Sequence, residues 1–153
     1  MIKLDDRDRA ILRLMQENSG RSNVELADLV GLSPSACLRR VQLLEEAGII
    51  DGYRMLLNPV ALGFSGNAFV QVTLDQQGRD ALDRFEASVG DVPEVLSCYL
   101  LAGQADYLLH VVFRDSIDLE RIHTEILTRL PGVIRVQSIL SLRTVKRATA
   151  LPI

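Results

Sequence analysis

The hydrophobic period of this chain changes once, and that change constrains its architecture more than any other feature. Up to about residue 57 the apolar residues recur at helical spacing. From residue 67 they alternate along short segments, with amphipathic stretches between them. Pro59, Gly63 and Gly66 punctuate the crossing point. A length of 153 residues suits one or two domains, and the break in period argues for two. The reading is a first domain over residues 1–57, a linker over 58–66, a second domain over 67–146 and a tail over 147–153.

The first domain reads as three helices. Asp5, Asp6 and Asp8 crowd the start of the first with negative charge, as the positive end of a helix favours. Leu4, Ile11, Leu14 and Met15 then share one face, and Asn18-Ser19-Gly20 ends the helix. Ser22-Asn23-Val24-Glu25 has the form of a capping box, in which serine and glutamate satisfy orphan amides reciprocally. Gly31-Leu32-Ser33 is a short turn whose glycine suits a left-handed residue. Ser33-Pro34 restarts a helix, serine as N-cap and proline at its first position. Cys37, Leu38, Val41 and Leu44 form its inward face. Two helices joined by a glycine turn and packed on a third are the helix-turn-helix unit, whose second helix enters the major groove of DNA. A three-helix bundle of other purpose competes with this reading; the register of capping box, turn and Ser-Pro start favours DNA. Ile49 to Arg54 reads as a short hairpin or wing.

In the second domain Ala68, Val70, Val72 and Leu74 alternate with Phe69, Gln71 and Thr73, a strand with one apolar face. Arg79 to Val89 follows as a helix with Leu82, Phe85 and Val89 inward. Val95 to Ala102 and Tyr107 to Phe113 are strands, Asp118 to Leu130 a second amphipathic helix, and Val133 to Arg143 the last strand. Pro93-Glu94-Val95 recurs as Pro131-Gly132-Val133, and Asp80 as Asp118, at one common offset. This duplication predicts a ferredoxin-like βαββαβ domain, a four-stranded antiparallel sheet with both helices on one face. The fold class is therefore α+β. The other face carries Phe69, Ile139 and Tyr99 or its neighbours. It reads as an oligomer surface, with the tail as the alternative cover.

Bulk charge gives no support for DNA. The net charge is −3, and acidic residues outnumber Lys and Arg on both sides of Asn58, so a DNA surface must rest on a few placed arginines. No apolar run approaches the roughly 20 residues of a membrane span, and the N-terminal residues lack the apolar core of a signal peptide. Cys37 and Cys98 form no framework and suit a reducing cytoplasm. Neither has metal spacing, His110 reads as a core or interface residue, and His123 lacks a partner carboxylate. No nucleotide loop, nucleophile elbow or paired-acid motif occurs, so the reading is a non-enzyme without metal or cofactor.

Several motifs, in order, resemble the leucine-responsive/AsnC ("feast-famine") family of prokaryotic transcriptional regulators. They include Leu4-Asp5-Asp6-Arg7-Asp8, Asn23-Val24-Glu25-Leu26-Ala27, Val30-Gly31-Leu32-Ser33-Pro34 through Val41, and Leu44-Glu45-Glu46-Ala47-Gly48-Ile49-Ile50. Leu57-Asn58-Pro59, Gly103-Gln104-Ala105-Asp106-Tyr107 and Leu130-Pro131-Gly132-Val133 continue the match, which covers essentially the whole chain. The resemblance implies a winged-helix-like helix-turn-helix domain and a C-terminal domain that answers to a small effector, an amino acid, in amino-acid-related metabolism. It implies double-stranded DNA as partner, homodimers assembling into octamers, no membrane partner, and a cytoplasmic, nucleoid-associated location.

Within that frame Arg39 and Arg40 lie on the outward face of the recognition helix, with Ser33, Ser35 and Ala36 on its leading turn. Arginine forks to guanine or clamps phosphate, serine reads either, and alanine meets a thymine methyl. Arg21 and Arg54 are secondary phosphate candidates. Gln42 and Leu43 stand where similar proteins are often basic, which lowers the phosphate contacts per half-site and puts weight on assembly. Gly103, Gln104, Ala105 and Asp106 join two strands. Backbone amides there suit a ligand carboxylate and Asp106 an ammonium, although spacing alone equally describes an aspartate shaping its own turn. The resemblance implies that this loop contacts the effector; Tyr107, Leu100 and Leu140 are candidate pocket walls. Two other functions compete: an architectural DNA-wrapping protein without effector, and a small ferredoxin-like metabolite-binding protein or enzyme.

Overall fold

The computed structural model describes residues 3–147 and 150–153. Residues 1, 2, 148 and 149, which the first domain and the tail include, lie outside the described residues. Two compact units result. One runs to Leu56 and takes in the segment from Val145; the other spans Leu57–Thr144.

The first unit holds α1 (Asp6–Glu17), α2 (Asn23–Val30) and α3 (Pro34–Glu46). A helix leaves its first amides without intrahelical partners, and here each start is closed by a side chain. Asp5 accepts from the Asp8 amide at 2.8 Å, while the Asp8 carboxylate accepts from the Asp5 amide at 3.1 Å. Ser22 and Glu25 form the expected box at α2, and Ser33 caps α3 ahead of Pro34. Gly31 ends α2 at φ 64°, the left-handed conformation that the turn requires. Ile11, Leu12, Leu26, Ala27, Cys37, Val41 and Leu44 close the core.

Leu38 departs from expectation and is 47% exposed. The buried stripe of α3 follows Cys37, Val41 and Leu44, and one further residue turns the chain by roughly 100°. The hairpin at Ile49 to Arg54 does not form, and residues 51–58 contain no strand. The amides of Ile49 and Ile50 both donate to the Leu44 carbonyl, 2.9 and 3.2 Å away, closing the end of α3 instead of a ladder. The described part of the tail packs on α1. Gln16 bonds the Leu151 backbone through both its amide atoms, Arg13 donates to the Ile153 carbonyl at 3.0 Å, and Ile153 rests on the core.

Near the start of the second unit the Asn58 side chain accepts from the amides of Val60 and Ala61 and starts a 3-10 turn, Val60–Leu62. The unit continues as β1 (Gly66–Leu74), α4 (Arg79–Gly90), β2 (Val95–Leu100), β3 (Tyr107–Phe113), α5 (Ser116–Arg121) and β4 (Val133–Leu140). The sheet order is β2-β3-β1-β4, antiparallel throughout, as the duplicated pattern predicts. Ala68, Val70, Val72 and Leu74 face the helices and are buried with Phe85, Val89, Leu109, Val111, Ile122 and Leu127. Phe69, Gln71 and Thr73 face the other way, paired across β4 with Ile139, Gln137 and Arg135.

The second helix is shorter and less regular than its periodicity suggests. It starts at Ser116, capped by the Asp115 carboxylate, and after Arg121 passes through a π-turn, Ile122–Ile126, and a 3-10 turn, Leu127–Arg129. Both wider and tighter turns keep Ile122 and Leu127 buried, 0% and 1% exposed. Strands β2 and β4 also stop earlier than expected, at Leu100 and Leu140. In the core the Phe85 and Tyr107 rings lie 4.5 Å apart, both almost fully buried. Truncating Phe85 removes both burial and that ring contact. Phe85→Ala is expected to lower unfolding stability by about 3–5 kcal/mol, measured by urea denaturation of the full chain.

Candidate functional site

The leading end of α3 is held by local bonds. Ser33 Oγ accepts from the Ala36 amide at 3.2 Å and lies 3.2 Å from Ser35 Oγ. Asn23 of α2 donates to the Pro34 carbonyl at 2.7 Å, and Arg7 of α1 to the Gly31 carbonyl at 2.9 Å. These bonds hold the turn and the start of α3 from α1 and α2. Ser33 therefore serves as a cap, while Ser35 lies exposed beside Ala36 at the leading turn.

The four arginines divide. Arg39 and Arg54 are exposed and make no hydrogen bond or ion pair with any described residue. Arg40 does not stand free on the outward face as the helical wheel suggested. Its Nη1 donates to Asp8 at 2.7 Å and to Asp5 at 2.8 Å, the two carboxylates that cap α1. The guanidinium is held more firmly in its charged form by these partners, Asp8 first. Arg21 is likewise engaged, donating to the Leu14 carbonyl at the end of α1 and pairing with Glu17 at 3.4 Å. Helical spacing shows which residues point outward, but it cannot show that acidic side chains from another helix will meet them.

The loop candidates divide too. Asp106 is 7% exposed, and neither carboxylate oxygen is left without a partner. Oδ2 accepts from the Leu74 amide and Oδ1 from the Gln77 side chain, each at 2.7 Å. Its own amide donates to the Val72 carbonyl, and its carbonyl accepts from Leu101. Asp106 thus fastens the end of β1 to the start of β3. The carboxylate that the sequence reading offers to a ligand ammonium thus already accepts from a backbone amide and a side chain within the chain. Gly103 has no positive φ, and a Cβ added there would meet nothing within 4 Å.

Gln104 and Ala105 do line a hollow, a small one of about 50 Å³ on the open sheet face, with Gln71, Thr73, Arg135 and Gln137. Sequence reasoning missed these last four. Their signal was present: in apolar strands, polar residues at period-two positions place a polar row on one face. Tyr107 and Leu100 border a different, open hollow of about 420 Å³ beside α4, with Glu86 and Cys98. Tyr107 donates to Glu86 at 2.7 Å, and burial followed by that carboxylate pushes its phenol above the ordinary range. Burial, with the nearby Glu86, pushes the Cys98 thiol up to about 11, so it stays protonated and unreactive. Leu140 pairs with Ala68 on edge strand β4, away from both groups. His110 stacks on Phe69 at 5.0 Å, and His123 Nδ1 lies 3.0 Å from Ser138 Oγ. Among the described residues no group of three or more potential ligands could hold a metal ion.

A family model described as winged helix-turn-helix DNA-binding matches residues 4–51, and one described as Lrp/AsnC ligand binding domain matches residues 67–151. The chain belongs to the Lrp/AsnC family. As a member of that family it is a transcriptional regulator, with a DNA-binding helix-turn-helix unit followed by a ligand-binding domain. The leucine-responsive regulatory protein of Salmonella typhimurium is 41% identical over 150 residues, 98% of this chain and 92% of that protein. Among solved structures, a transcriptional regulator from Neisseria meningitidis in complex with L-Met has a TM-score of 0.93 at 42% identity. That match covers 98% of this chain and 97% of the other. An AsnC family transcriptional regulator from Agrobacterium tumefaciens has a TM-score of 0.92 at 34% identity, covering 97% of each chain. Among the described residues no helix is long and apolar enough to cross a membrane.

Two expected outcomes follow for this Lrp/AsnC regulator. Removing the Asp106 carboxylate leaves the Leu74 amide buried without a partner, so Asp106→Ala is expected to cost about 1–3 kcal/mol of stability in urea denaturation. The second concerns acid. The Asp8 amide and then the Arg40 guanidinium hold the Asp5 carboxyl below its ordinary value of 3.8. A group whose folded value is depressed stabilises the fold above its unfolded value and loses that stabilisation as pH falls through the folded one. Thermal unfolding midpoints are therefore expected to drop below about pH 4, and less steeply in Asp5→Asn.

Proposed function

We propose that this chain binds specific double-stranded DNA through the outward face of α3, that it does so as a homo-oligomer, and that a free amino acid regulates it. Arg39 carries the first part of this reading. It is an exposed arginine without a partner among the described residues, one residue from a clamped neighbour, on a helix whose leading end and preceding turn are held by three side-chain bonds. Ser35 and Ala36 precede it on the leading turn, and Arg54 supplies a further unpaired cation for phosphate. The net charge of −3 leaves little general attraction, so binding depends on these placed groups.

The open sheet face supports the second part. Phe69, Tyr99 and Ile139 are 41%, 57% and 46% exposed there, and a second copy of the same face is self-complementary under two-fold symmetry. An amino acid as effector is supported by the L-Met carried by the Neisseria relative and by the leucine response in the names of the curated ones. Gly103, Gln104 and Ala105 are the candidate ligand-contacting segment, with Asp106 holding that segment in place. Tyr107 is buried in the core, while Leu100 and Leu140 stand more than half exposed.

The test begins with duplexes selected from a random pool by the wild-type protein. Arg39→Ala is expected to cost about 1–3 kcal/mol in affinity and relax specificity if Arg39 reads a base. If it holds a phosphate, the salt slope falls by about one. Titrating the twenty amino acids in the same shift assay, with light scattering alongside, reads the effector. The amino acid that binds is expected to change DNA affinity, and DNA its affinity, by the same factor. A wild-type protein that selects no sequence would refute the DNA reading. Selection without response to any amino acid would leave the architectural alternative in its place.

A further inference from the structure

We infer that Arg40 is a positioning residue for DNA binding: it sets the rotation of the recognition helix by clamping α3 to the capping box of α1, and it does not touch DNA itself. The inference rests on the DNA-binding reading of α3 given above. Its geometric basis is one guanidinium nitrogen shared between Asp8 Oδ1 at 2.7 Å and Asp5 Oδ2 at 2.8 Å. Those carboxylates are not free side chains that happen to lie near. Each is already fixed by an amide of the other residue, so the anchor is rigid. The Asp8 side chain is only 14% exposed.

A rigid anchor matters because of how α3 is otherwise held. Its buried stripe is Cys37, Val41 and Leu44, and apolar burial is non-directional, so these contacts fix depth more firmly than roll. The leading end is tied through Asn23 and the Pro34 carbonyl, close to the helix axis. Charge-assisted hydrogen bonds are short and directional, and this pair acts on a long lever arm at mid-helix. One helical step is roughly 100°, so even a small roll about the axis swings the adjacent Arg39 away from a base edge or phosphate. Arg40 also places a positive charge between two carboxylates at the start of α1, which would otherwise repel the DNA backbone.

Salt dependence separates a clamp from a contact. A side chain that neutralises a phosphate releases a counterion, and its loss lowers the slope of log affinity against log salt by about one. A positioning residue loses affinity by one factor at every salt concentration, so the line shifts without tilting. The experiment uses the full chain and a duplex selected by the wild-type protein across a potassium chloride series, below the unfolding midpoint of every variant. Arg40→Ala is expected to bind more weakly with the wild-type slope, and Arg40→Lys to recover part of the loss. Thermal unfolding of Arg40→Ala, Asp8→Asn and the double variant is expected to be non-additive, since asparagine keeps the cap but removes the charge.

Three results would overturn the inference. A slope lowered by about one in Arg40→Ala would make Arg40 a phosphate contact. Wild-type affinity in a folded Arg40→Ala would reduce the clamp to a stability device. Additive unfolding would mean that the pair does not act as a unit. A wild-type protein that selects no duplex refutes the DNA-binding reading, and the inference with it. The three results above leave that reading intact.

Discussion

An amide that folding removes from water must find an acceptor, and in this chain that demand decides which polar side chains remain for function. At the start of each helix in the first unit, a side-chain oxygen meets the demand: Asp5 for α1, Ser22 for α2, Ser33 for α3. In the second unit Asp106 meets it for the amide of Leu74. Once these groups are committed, the polar residues left over include Arg39 and Ser35 on α3, and Gln71, Gln104, Arg135 and Gln137 around the hollow on the open sheet face. The surface proposed for function is what the backbone does not require.

The same demand links the helices of the first unit. Because Asp5 and Asp8 are both caps and acids, they offer a fixed negative site, and Arg40 finds it from across the unit. Capping thereby connects α1 to α3, the helix proposed to face DNA. In the second unit the link runs through strands. Central strand β1 buries Val70 and Val72 against Phe85 and Tyr107, and by strict alternation this leaves Phe69, Gln71 and Thr73 on the face without helices. One pattern thus produces both the core and the surface that is proposed to meet a second copy.

Much of this was legible in the sequence, for reasons that differ by residue. The Ser22–Glu25 box, the left-handed Gly31 and the Ser33-Pro34 start are local rules, and local rules survive folding. The repeat at Pro93 and Pro131 marked where β2 and β4 begin, because a proline after a helix and a valine opening a strand act within a few residues. Where regularity gave way to competition, the sequence misled. Ile49 and Ile50 look like a strand, but their amides turn to Leu44; the helix after Asp115 follows its period only until the π-turn at Ile122.

The sequence alone determined the α+β class, the order of elements, the helix-turn-helix register and the alternation that divides the sheet into two faces. Each depends on spacing between neighbours along the chain. Only the tertiary structure decided that Arg40 and Arg21 are engaged while Arg39 has no partner among the described residues, and that Asp106 fastens strands while Gln104 lines a hollow. These distinctions depend on partners far apart in sequence, such as Asp5 with Arg40 and Leu74 with Asp106. Periodicity tells which way a side chain points; whether a charge or an amide waits for it there is settled when distant segments come together.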